Sequence, residues 1–205
     1  MQHPYIIGIS GGSGSGKTSF IKSLMNHFLP HEVCLISLDN YYKPKEQQPI
    51  DANGIQNYDT PESIDFEQFM HDLATIIEGK EVQRLEYDFN NPNYVPSMLT
   101  FNRAPVIVLE GVFLYCYQQL ENMIEFRIFI ETQEHLRLKR RILRDIKERG
   151  YPVDETLYYI EHHVTPGYAK YVEPYRNECD MIILNNKNFE KAVELVAGHL
   201  KQKSV

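Results

Sequence analysis

Short apolar runs bounded by turn residues recur along the chain, and helix-like stretches separate them. The apolar runs cover residues 5–9, 33–38, 106–109, 126–130 and 181–184. Continuous runs of this length are typical of strands buried on both faces of a parallel sheet. The helix-like stretches are 19–28, 64–78, 132–149, 155–162 and 189–201. Strands that alternate with helices predict an α/β fold whose parallel sheet is covered on both faces.

One segment breaks this alternation before the third core strand. Residues 82–89 and 98–102 have strand character, and the turn-forming residues 90–93 separate them. We therefore predict that residues 80–103 form an inserted β-hairpin, which acts as a flap on the substrate side. The polar segment 43–54 contains two prolines and a glycine and is predicted to be a loop. With no repeat or linker in the sequence, residues 1–205 are expected to form a single domain.

Composition and charge narrow the range of functions. The 205 residues are 42% hydrophobic and 24% charged, which suits one globular domain with an apolar core. The formal net charge of −7 argues against broad nucleic-acid binding, which needs an excess of basic residues. Cys34, Cys116 and Cys179 lack the spacing of a disulfide framework or a zinc site. Because the first apolar run is too short for a signal peptide or a membrane span, we expect a cytoplasmic protein with no membrane partner.

A glycine-rich motif follows the first predicted strand and opens the first predicted helix. It consists of Gly11, Gly12, Ser13, Gly14, Ser15, Gly16, Lys17 and Thr18, and it matches G-x-x-x-x-G-K-[ST]. The glycines allow backbone amides to surround phosphate oxygens, and the helix N-terminus adds positive potential there. We expect Lys17 to contact the β- and γ-phosphates and Thr18 to bind Mg²⁺. The alternative is a glycine-rich structural turn, which this strand and helix context disfavours.

The motif and the strand pattern together predict a P-loop NTPase fold, with a five-stranded parallel sheet, helices on both faces and the hairpin flap. Ligands of such sheets bind beyond the carboxyl ends of the strands, where Asp39 and Glu110 stand. Asp39 could accept a proton from an attacking hydroxyl, and Glu110 could support Mg²⁺. The alternatives are a turn or helix-cap aspartate and an ordinary loop glutamate.

Seven of the chain's 21 basic residues lie between positions 137 and 149 of an otherwise acidic protein. They are Arg137, Lys139, Arg140, Arg141, Arg144, Lys147 and Arg149. At helical spacing Arg137, Arg141 and Arg144 share one face, and an apolar stripe at positions 138, 142 and 146 lies elsewhere. This pattern predicts a helical lid, about residues 131–165, whose arginines clamp the transferring phosphate. The alternative is a solvated basic face paired with acidic residues such as Asp145.

Aromatic rings stand beside carboxylates at positions 58–59 and 87–89, on predicted loop or flap segments. A pocket that stacks a base and hydrogen-bonds sugar hydroxyls would use such residues, although similar clusters also simply pack. His162 and His163 are adjacent, so on a helix they point in different directions and cannot form a metal-binding i, i+4 pair. We assign both histidines to structural roles.

Seven motifs follow one another across nearly the whole chain: GGSGSGKT, SLDNYY, YDTPESID, YDF, VLEG, RRILRDIKERG and VEPYRNECDMII. Together they resemble the uridine-cytidine kinases. The resemblance implies transfer of the γ-phosphoryl group of ATP or GTP to the 5′-hydroxyl of a pyrimidine ribonucleoside, giving UMP or CMP in nucleotide salvage. It also implies Mg²⁺ as cofactor, a mobile lid and a homo-oligomer, either a tetramer or a dimer.

The resemblance further implies a role for each matching residue. Asp39 would be the catalytic base, and Lys17 and Arg144 would act with it in catalysis. Thr18, Asp39 and Glu110 would stand beside the magnesium ion. The phosphates of the donor would contact the glycine-rich motif, Arg144 and Arg149. The acceptor nucleoside would contact Asp39, Asp59, Tyr87, Phe89 and Arg141, with Asp59 binding the ribose hydroxyls.

The chain departs from the family pattern where the family recognises the pyrimidine ring. Asn90, Asn91 and Pro92 replace a histidine that usually follows YDF, and Tyr151 and Tyr158 stand at or near an arginine and a glutamine position. Two other functions therefore stay open. One is a P-loop kinase of another small alcohol, such as a sugar phosphate, pantothenate or a different nucleoside. The other is a nucleotide-responsive binding protein that has lost phosphoryl transfer.

Overall fold

A computed structural model of the protein describes residues 3–89, 91 and 94–204. Its strands are β1 (Tyr5–Ser10), β2 (Val33–Ser37), β3 (Val82–Leu85), β4 (Met98–Phe101), β5 (Val106–Glu110), β6 (Phe126–Glu131) and β7 (Met181–Leu184). Its α-helices are α1 (Lys17–Met25), α2 (Phe66–Ile77), α3 (Glu134–Lys147), α4 (Val153–Tyr159), α5 (Thr165–Tyr171) and α6 (Glu190–Lys201). A π-helical segment, Ile160–Val164, joins α4 to α5.

Five strands form one parallel sheet in the order β2-β5-β1-β6-β7. The central strand, β1, is hydrogen-bonded to β5 on one side and β6 on the other, and it is buried from Ile6 to Ser10. Residues of α1 and α6 belong to the apolar cluster on one face, and residues of α2 belong to the cluster on the other. The predicted α/β fold is confirmed, and each predicted strand end lies within one residue of the observed end.

The predicted hairpin is also present. Strands β3 and β4 pair antiparallel as a separate two-stranded sheet, with Val82 opposite Phe101 and Leu85 opposite Met98. Arg84 of β3 lies over the ring of Tyr41 at 3.8 Å and so ties the hairpin to the body of the protein. Of the turn residues singled out in the sequence, Asn90, Pro92 and Asn93 lie outside the described residues.

The helices differ from their predicted limits for local reasons. Helix α1 begins at Lys17, directly after the glycine loop, and α2 begins at Phe66 because the Asp65 side chain accepts a hydrogen bond from the Gln68 amide. The predicted helix at 155–162 extends in both directions through α4, the π-helical segment and α5. Within the described residues, no helix combines the length and apolar character needed to cross a membrane.

Helix α3 packs through a different face from the predicted apolar stripe. Leu138, Ile142 and Ile146 are only half-buried, whereas Arg137 and Asp145 are buried. The predicted apolar stripe is therefore only partly buried, and the fully buried positions of α3 are polar. A helix can bury polar side chains when hydrogen bonds and ring contacts compensate for lost hydration, and the site described below supplies such contacts.

Candidate active site

The phosphate loop turns sharply between β1 and α1. Gly14 and Gly16 have φ angles of +81° and +93°, which residues with a Cβ rarely adopt. A Cβ on Gly14 would stand 2.3 Å from the Arg137 carbonyl oxygen, and one on Gly16 would stand 2.1 Å from Asn185 Nδ2. The loop is therefore pressed against α3 and the segment after β7. Only glycine fits at both positions.

Two side chains from outside the loop hold it from behind. The Thr132 hydroxyl and the Asn185 amide both donate to the Ser15 carbonyl oxygen at 2.8 Å. Gly11, Gly12 and Ser15 are buried, while Ser13, Gly14, Gly16, Lys17 and Thr18 line an adjoining cavity of about 880 Å³. The motif therefore faces the cavity both through its turn, at Ser13 and Gly14, and through the start of α1.

Lys17 is folded back over the loop. Its Nζ donates to the Gly11 carbonyl at 2.8 Å, and the side chain is buried. Burial lowers the pKa of the Lys17 ammonium, and the nearby carboxylates of Glu110 and Asp39 partly oppose this shift. A buried cation beside the open end of α1 creates positive potential at the place where the sequence predicts the phosphates.

Asp39 and Glu110 approach the cavity from neighbouring strands. Strand β2 ends at Ser37, one residue earlier than predicted, so that Asp39 lies in a 3₁₀ turn, Leu38–Tyr41, rather than directly at the strand end. The Ser37 hydroxyl donates to Glu110 Oε1 at 2.5 Å and accepts from the Asp39 amide at 3.1 Å. Burial, followed by repulsion from Asp39, raises the pKa of Glu110 to about 7.

These groups fit a site for a divalent cation that also takes ligands from a bound nucleotide. The Thr18 hydroxyl, Asp39 and Glu110 all line the cavity beside Lys17. Within the described residues, no cluster of three or more histidine, cysteine, aspartate or glutamate side chains could hold a metal alone. Mg²⁺ commonly binds one or two carboxylates and completes its shell with phosphate oxygens and water, so the donor set present here is sufficient.

Asp145 gathers three arginines of the predicted lid. Its carboxylate accepts from Arg141 Nε at 2.5 Å and from Arg149 Nη1 at 3.1 Å, and it lies 3.9 Å from Arg144 Nε. Asp145 is 1% exposed, so these are buried charges and not a solvated surface network. From the sequence, Asp145 was expected only as a partner on a solvated helix face. In the structure it fixes the positions of the predicted phosphate-binding arginines.

The arginines also reach the phosphate loop. The Ser13 hydroxyl accepts from Arg141 Nη1 at 2.9 Å and from Arg144 Nη2 at 2.8 Å. Burial, then repulsion from Arg149 and Arg141, lowers the pKa of Arg144 to about 10. In Arg141 burial acts in the same direction, but Asp59 and Asp145 outweigh it and raise the pKa of the guanidinium. The positive charge of Arg144 is thus less neutralised by carboxylates than that of Arg141.

Arg137 does not join this cluster, contrary to the predicted shared face. It is 2% exposed, and its guanidinium lies over the ring of Tyr168 at 4.0 Å, outside the residues that line the cavity. A Cβ on Gly12 would stand 2.8 Å from Arg137 Cδ. Arg137 therefore packs behind the loop, between Gly12 and the Tyr168 ring.

The far end of the cavity is built from Asp59 and aromatic rings. Arg141 Nη1 donates to Asp59 Oδ1 at 3.4 Å, which ties the predicted ribose ligand to the arginine cluster. The rings of Tyr87 and Phe89 lie 4.9 Å apart, and both contact Tyr42. Arg149 covers the Phe89 ring at 4.5 Å. The structure therefore brings the predicted acceptor residues and the predicted phosphate residues to one cavity.

Several residues at this end of the cavity were not predicted from the sequence. Tyr42, Tyr159 and His163 line the cavity, whereas Tyr158, which stands near the family's glutamine position, is not among the lining residues. His163 is 2% exposed and bonds to Asp51, whereas His162 is exposed and packs on Tyr158. A purely structural role for His163 is therefore an incomplete assignment. Tyr42 could have been found from the sequence, because it is the second tyrosine of SLDNYY. No sequence signal marked the π-helical segment that carries His163.

Comparison with known proteins places this geometry in a family. The model of the phosphoribulokinase / uridine kinase family matches residues 6–190. The chain belongs to this family. The match spans the phosphate loop, both acidic residues, the hairpin and the arginine cluster, so the family assignment covers every part of the cavity described above.

Named relatives agree with the family. A uridine kinase of Brevibacillus brevis is 32% identical over 197 residues, which cover 96% of this chain and 92% of the relative. A solved structure of a possible uridine kinase from Bacillus stearothermophilus superposes with a TM-score of 0.61 at 17% identity, covering 89% of each chain. D-glycerate 3-kinase of Cryptococcus neoformans gives a TM-score of 0.57 at 15% identity, over 82% of this chain and 79% of that one. The chain is thus a kinase of the uridine kinase family, and the two structures attest its fold.

Proposed function

We propose that the protein transfers the γ-phosphoryl group of ATP, or of GTP, to the 5′-hydroxyl of a pyrimidine ribonucleoside, converting uridine to UMP and cytidine to CMP. One observation carries the proposal: Asp39 and Asp59 line the same cavity as the phosphate loop, with Asp59 tied to Arg141 and with aromatic rings beyond it. Two carboxylates spaced along such a cavity suit a sugar: Asp59 can bind its hydroxyls at one point, while Asp39 acts on the hydroxyl that is phosphorylated at another.

In the proposed reaction Asp39 orients the 5′-hydroxyl and accepts its proton as the oxygen attacks the γ-phosphorus. The bond from the γ-phosphorus to the bridging oxygen breaks, and the nucleoside diphosphate leaves with the negative charge. Arg144, Arg149 and the loop amides stabilise the charge that spreads over the transferred group. Arg144 and Arg141 both donate to Ser13 of the phosphate loop. These hydrogen bonds fix the position of the donor end of the cavity relative to the acceptor end.

Mg²⁺ would be held by Thr18, Glu110 and Asp39 together with the nucleotide, and it would neutralise phosphate charge and orient the terminal group. The raised pKa of Glu110 supports this assignment, since burial and repulsion from Asp39 both disfavour its charged form and a bound cation would offset both effects. Lys17 would shift from its contact with the Gly11 carbonyl to the β- and γ-phosphates.

The test is release of ADP from ATP and Mg²⁺ by the purified protein with a panel of acceptors: uridine, cytidine, adenosine, ribose, ribulose 5-phosphate and pantothenate. We expect turnover with uridine or cytidine. Asp39→Asn should retain nucleotide binding but lower kcat by about 100- to 10,000-fold, the range typical of a lost general base. Asp154→Asn, an exposed carboxylate of α4, serves as the matched control.

Each outcome separates the candidates. Turnover with only a sugar phosphate or pantothenate would keep the kinase chemistry and replace the acceptor. Absence of turnover with every acceptor, in a protein that still binds ATP, would contradict the proposal and support a nucleotide-responsive binding protein.

A further inference from the structure

Asp51 organises a compact turn at positions 49–57, between β2 and α2. Its Oδ1 accepts from the backbone amides of Asn53 at 2.8 Å and Ile55 at 2.9 Å. Backbone hydrogen bonds from the Asp51 amide to the Ile55 carbonyl and from the Asn57 amide to the Pro49 carbonyl close the turn. A segment that the sequence marks only as a loop is therefore a defined structural unit.

The other oxygen of the same carboxylate reaches a distant part of the chain. Asp51 Oδ2 accepts from the Tyr158 hydroxyl at 2.6 Å and lies 2.8 Å from His163 Nε2. Asn53 Nδ2 donates to the Tyr158 hydroxyl at 2.7 Å. These hydrogen bonds hold the pKa of the Asp51 carboxyl well below its usual range, first through Tyr158 and then through the Ile55 amide. Asp51 is thus an ionised link between the 49–57 turn and the helical segment after α3.

The two linked parts form one wall of the cavity, away from the phosphate loop. Gly54, Ile55 and Gln56 of the turn line it, as do Tyr159 and His163 from the helical side. The ring of His163 is stacked on that of Tyr159 at 5.6 Å with an interplanar angle of 29°. His163 belongs to the π-helical segment Ile160–Val164 and is buried there, together with Val164.

We propose that Asp51 is a positioning residue for the acceptor. It docks the 49–57 turn onto Tyr158 and His163 and so fixes the position of the wall formed by Ile55, Gln56 and Tyr159. This wall selects the ring of the acceptor. The wall presents the Gln56 amide, which can donate and accept hydrogen bonds, and the Tyr159 phenol, whose hydroxyl donates to Glu155 at 2.6 Å and whose oxygen can accept. They suit an uncharged heterocycle with carbonyl or amino groups. The identity of the acceptor as a nucleoside rests on the proposed function, but docking of the turn does not.

The kinetic test compares Asp51→Ala and Tyr158→Phe with the wild type and with Asp154→Asn. We expect Asp51→Ala to raise the KM for the nucleoside about tenfold, the effect of losing roughly 1.4 kcal/mol of net hydrogen bonding, while the KM for ATP stays within about twofold. Tyr158→Phe removes one of the same bonds, so the double variant should raise KM by less than the product of the two single effects. Equal changes in the KM for ATP and for nucleoside, or additive effects of the two substitutions, would overturn the proposal.

A second measurement needs no turnover. Hydrogen exchange of the protein without ligands should become faster in Asp51→Ala both in the 49–57 turn and across the docking contact at residues 158–164, and remain unchanged at residues 11–18. Faster exchange confined to the turn would overturn docking. If the wild type phosphorylates no nucleoside, the proposed function fails, and the exchange result still decides whether Asp51 docks the turn.

Discussion

The Ser37 hydroxyl links Asp39 to Glu110: it donates a hydrogen bond to Glu110 Oε1 at 2.5 Å and accepts one from the Asp39 backbone amide at 3.1 Å. Ser37 ends β2 and Glu110 ends β5, and the two residues stand opposite each other in the parallel register. One side chain therefore sets both the rotamer of Glu110 and the start of the turn that carries Asp39. The separation of these carboxylates depends on the sheet and not on a flexible loop.

Removing this link should affect catalysis more than stability. We expect Ser37→Ala to lower kcat/KM by about 10- to 100-fold, the usual effect of losing a partner that orients a metal-side ligand, and to raise the Mg²⁺ concentration needed for half-maximal rate. Ser23→Ala in α1 removes a hydroxyl outside the cavity lining and should leave both values unchanged. Steady-state rates over a Mg²⁺ titration provide the measurement; an unchanged Mg²⁺ dependence would contradict the role given to Ser37.

Glu110 should make stability depend on pH. Because its folded pKa is raised from 4.5 to about 7, the folded protein holds this proton more tightly than the unfolded chain. Stability therefore falls as pH rises from about 4.5 to about 7, and the full penalty persists above that range. Glu110→Gln removes the penalty and keeps an oxygen for Ser37, so at pH 8 the variant should be more stable by about 1 to 3 kcal/mol, although its activity falls.

Urea unfolding of the protein without nucleotide or metal, at pH 8 and pH 5, measures this difference. The gain in Glu110→Gln should shrink toward pH 5, where the wild-type carboxyl is largely protonated. Equal or lower stability of the variant at pH 8 would show that Glu110 carries no such penalty.

Substitution of Asp145 should lower the free energy of unfolding more than substitution of any one of the arginines around it. Asp145→Asn removes the buried carboxylate that Arg141, Arg144 and Arg149 share. We expect a loss of about 3 kcal/mol in the free energy of unfolding together with weaker ATP binding, since Arg141 and Arg144 also hold Ser13. Thermal unfolding and nucleotide titration test this, with Glu134→Gln on the exposed first turn of α3 as control. A stable variant with unchanged ATP affinity would refute it.

Two helical glycines provide a matched pair. A Cβ on Gly167 of α5 would stand 2.3 Å from the Asp59 carbonyl oxygen, whereas one on Gly198 of α6 would meet nothing within 4 Å. Gly167→Ala must displace Asp59 or α5, so we expect lower stability and a higher KM for the acceptor. Gly198→Ala should instead stabilise the protein by about 0.5 to 1 kcal/mol, the helix propensity difference. Unfolding curves and acceptor titrations of both variants provide the measurement. Equal stability and equal acceptor KM in the two variants would contradict this packing.

The sheet, the phosphate loop and the hairpin could be predicted because their signals are local. Continuous apolar runs mark buried parallel strands, and the motif at 11–18 stands in the strand and helix context that it requires. The paired carboxylates Asp39 and Glu110 follow from the same logic, since parallel strands end at one edge of the sheet.

The remaining features depend on contacts between distant positions. Arg137 and Asp145 lie on a helix whose apolar stripe suggested a different buried face, and only the loop and Tyr168 packed against them determine which face turns inward. The bond between Asp51 and His163 joins residues 112 positions apart through a π-helical register. Periodicity within one segment carries no information about such partners.

The central place of β1 has a consequence for how new activities could arise in this protein. The phosphate loop continues the central strand of the sheet, whereas the opposite end of the cavity is formed by the 49–57 turn, the segment after β3 and the helical segment around Tyr159. Side-chain contacts of Asp51 and Arg84 tie these segments to their neighbours. Substitutions in these segments should be able to change the choice of acceptor without weakening the sheet or phosphoryl transfer. A laboratory selection for activity on a different alcohol should therefore accumulate its mutations in the 49–57 turn and around Tyr159, and leave the strand and its loop unchanged.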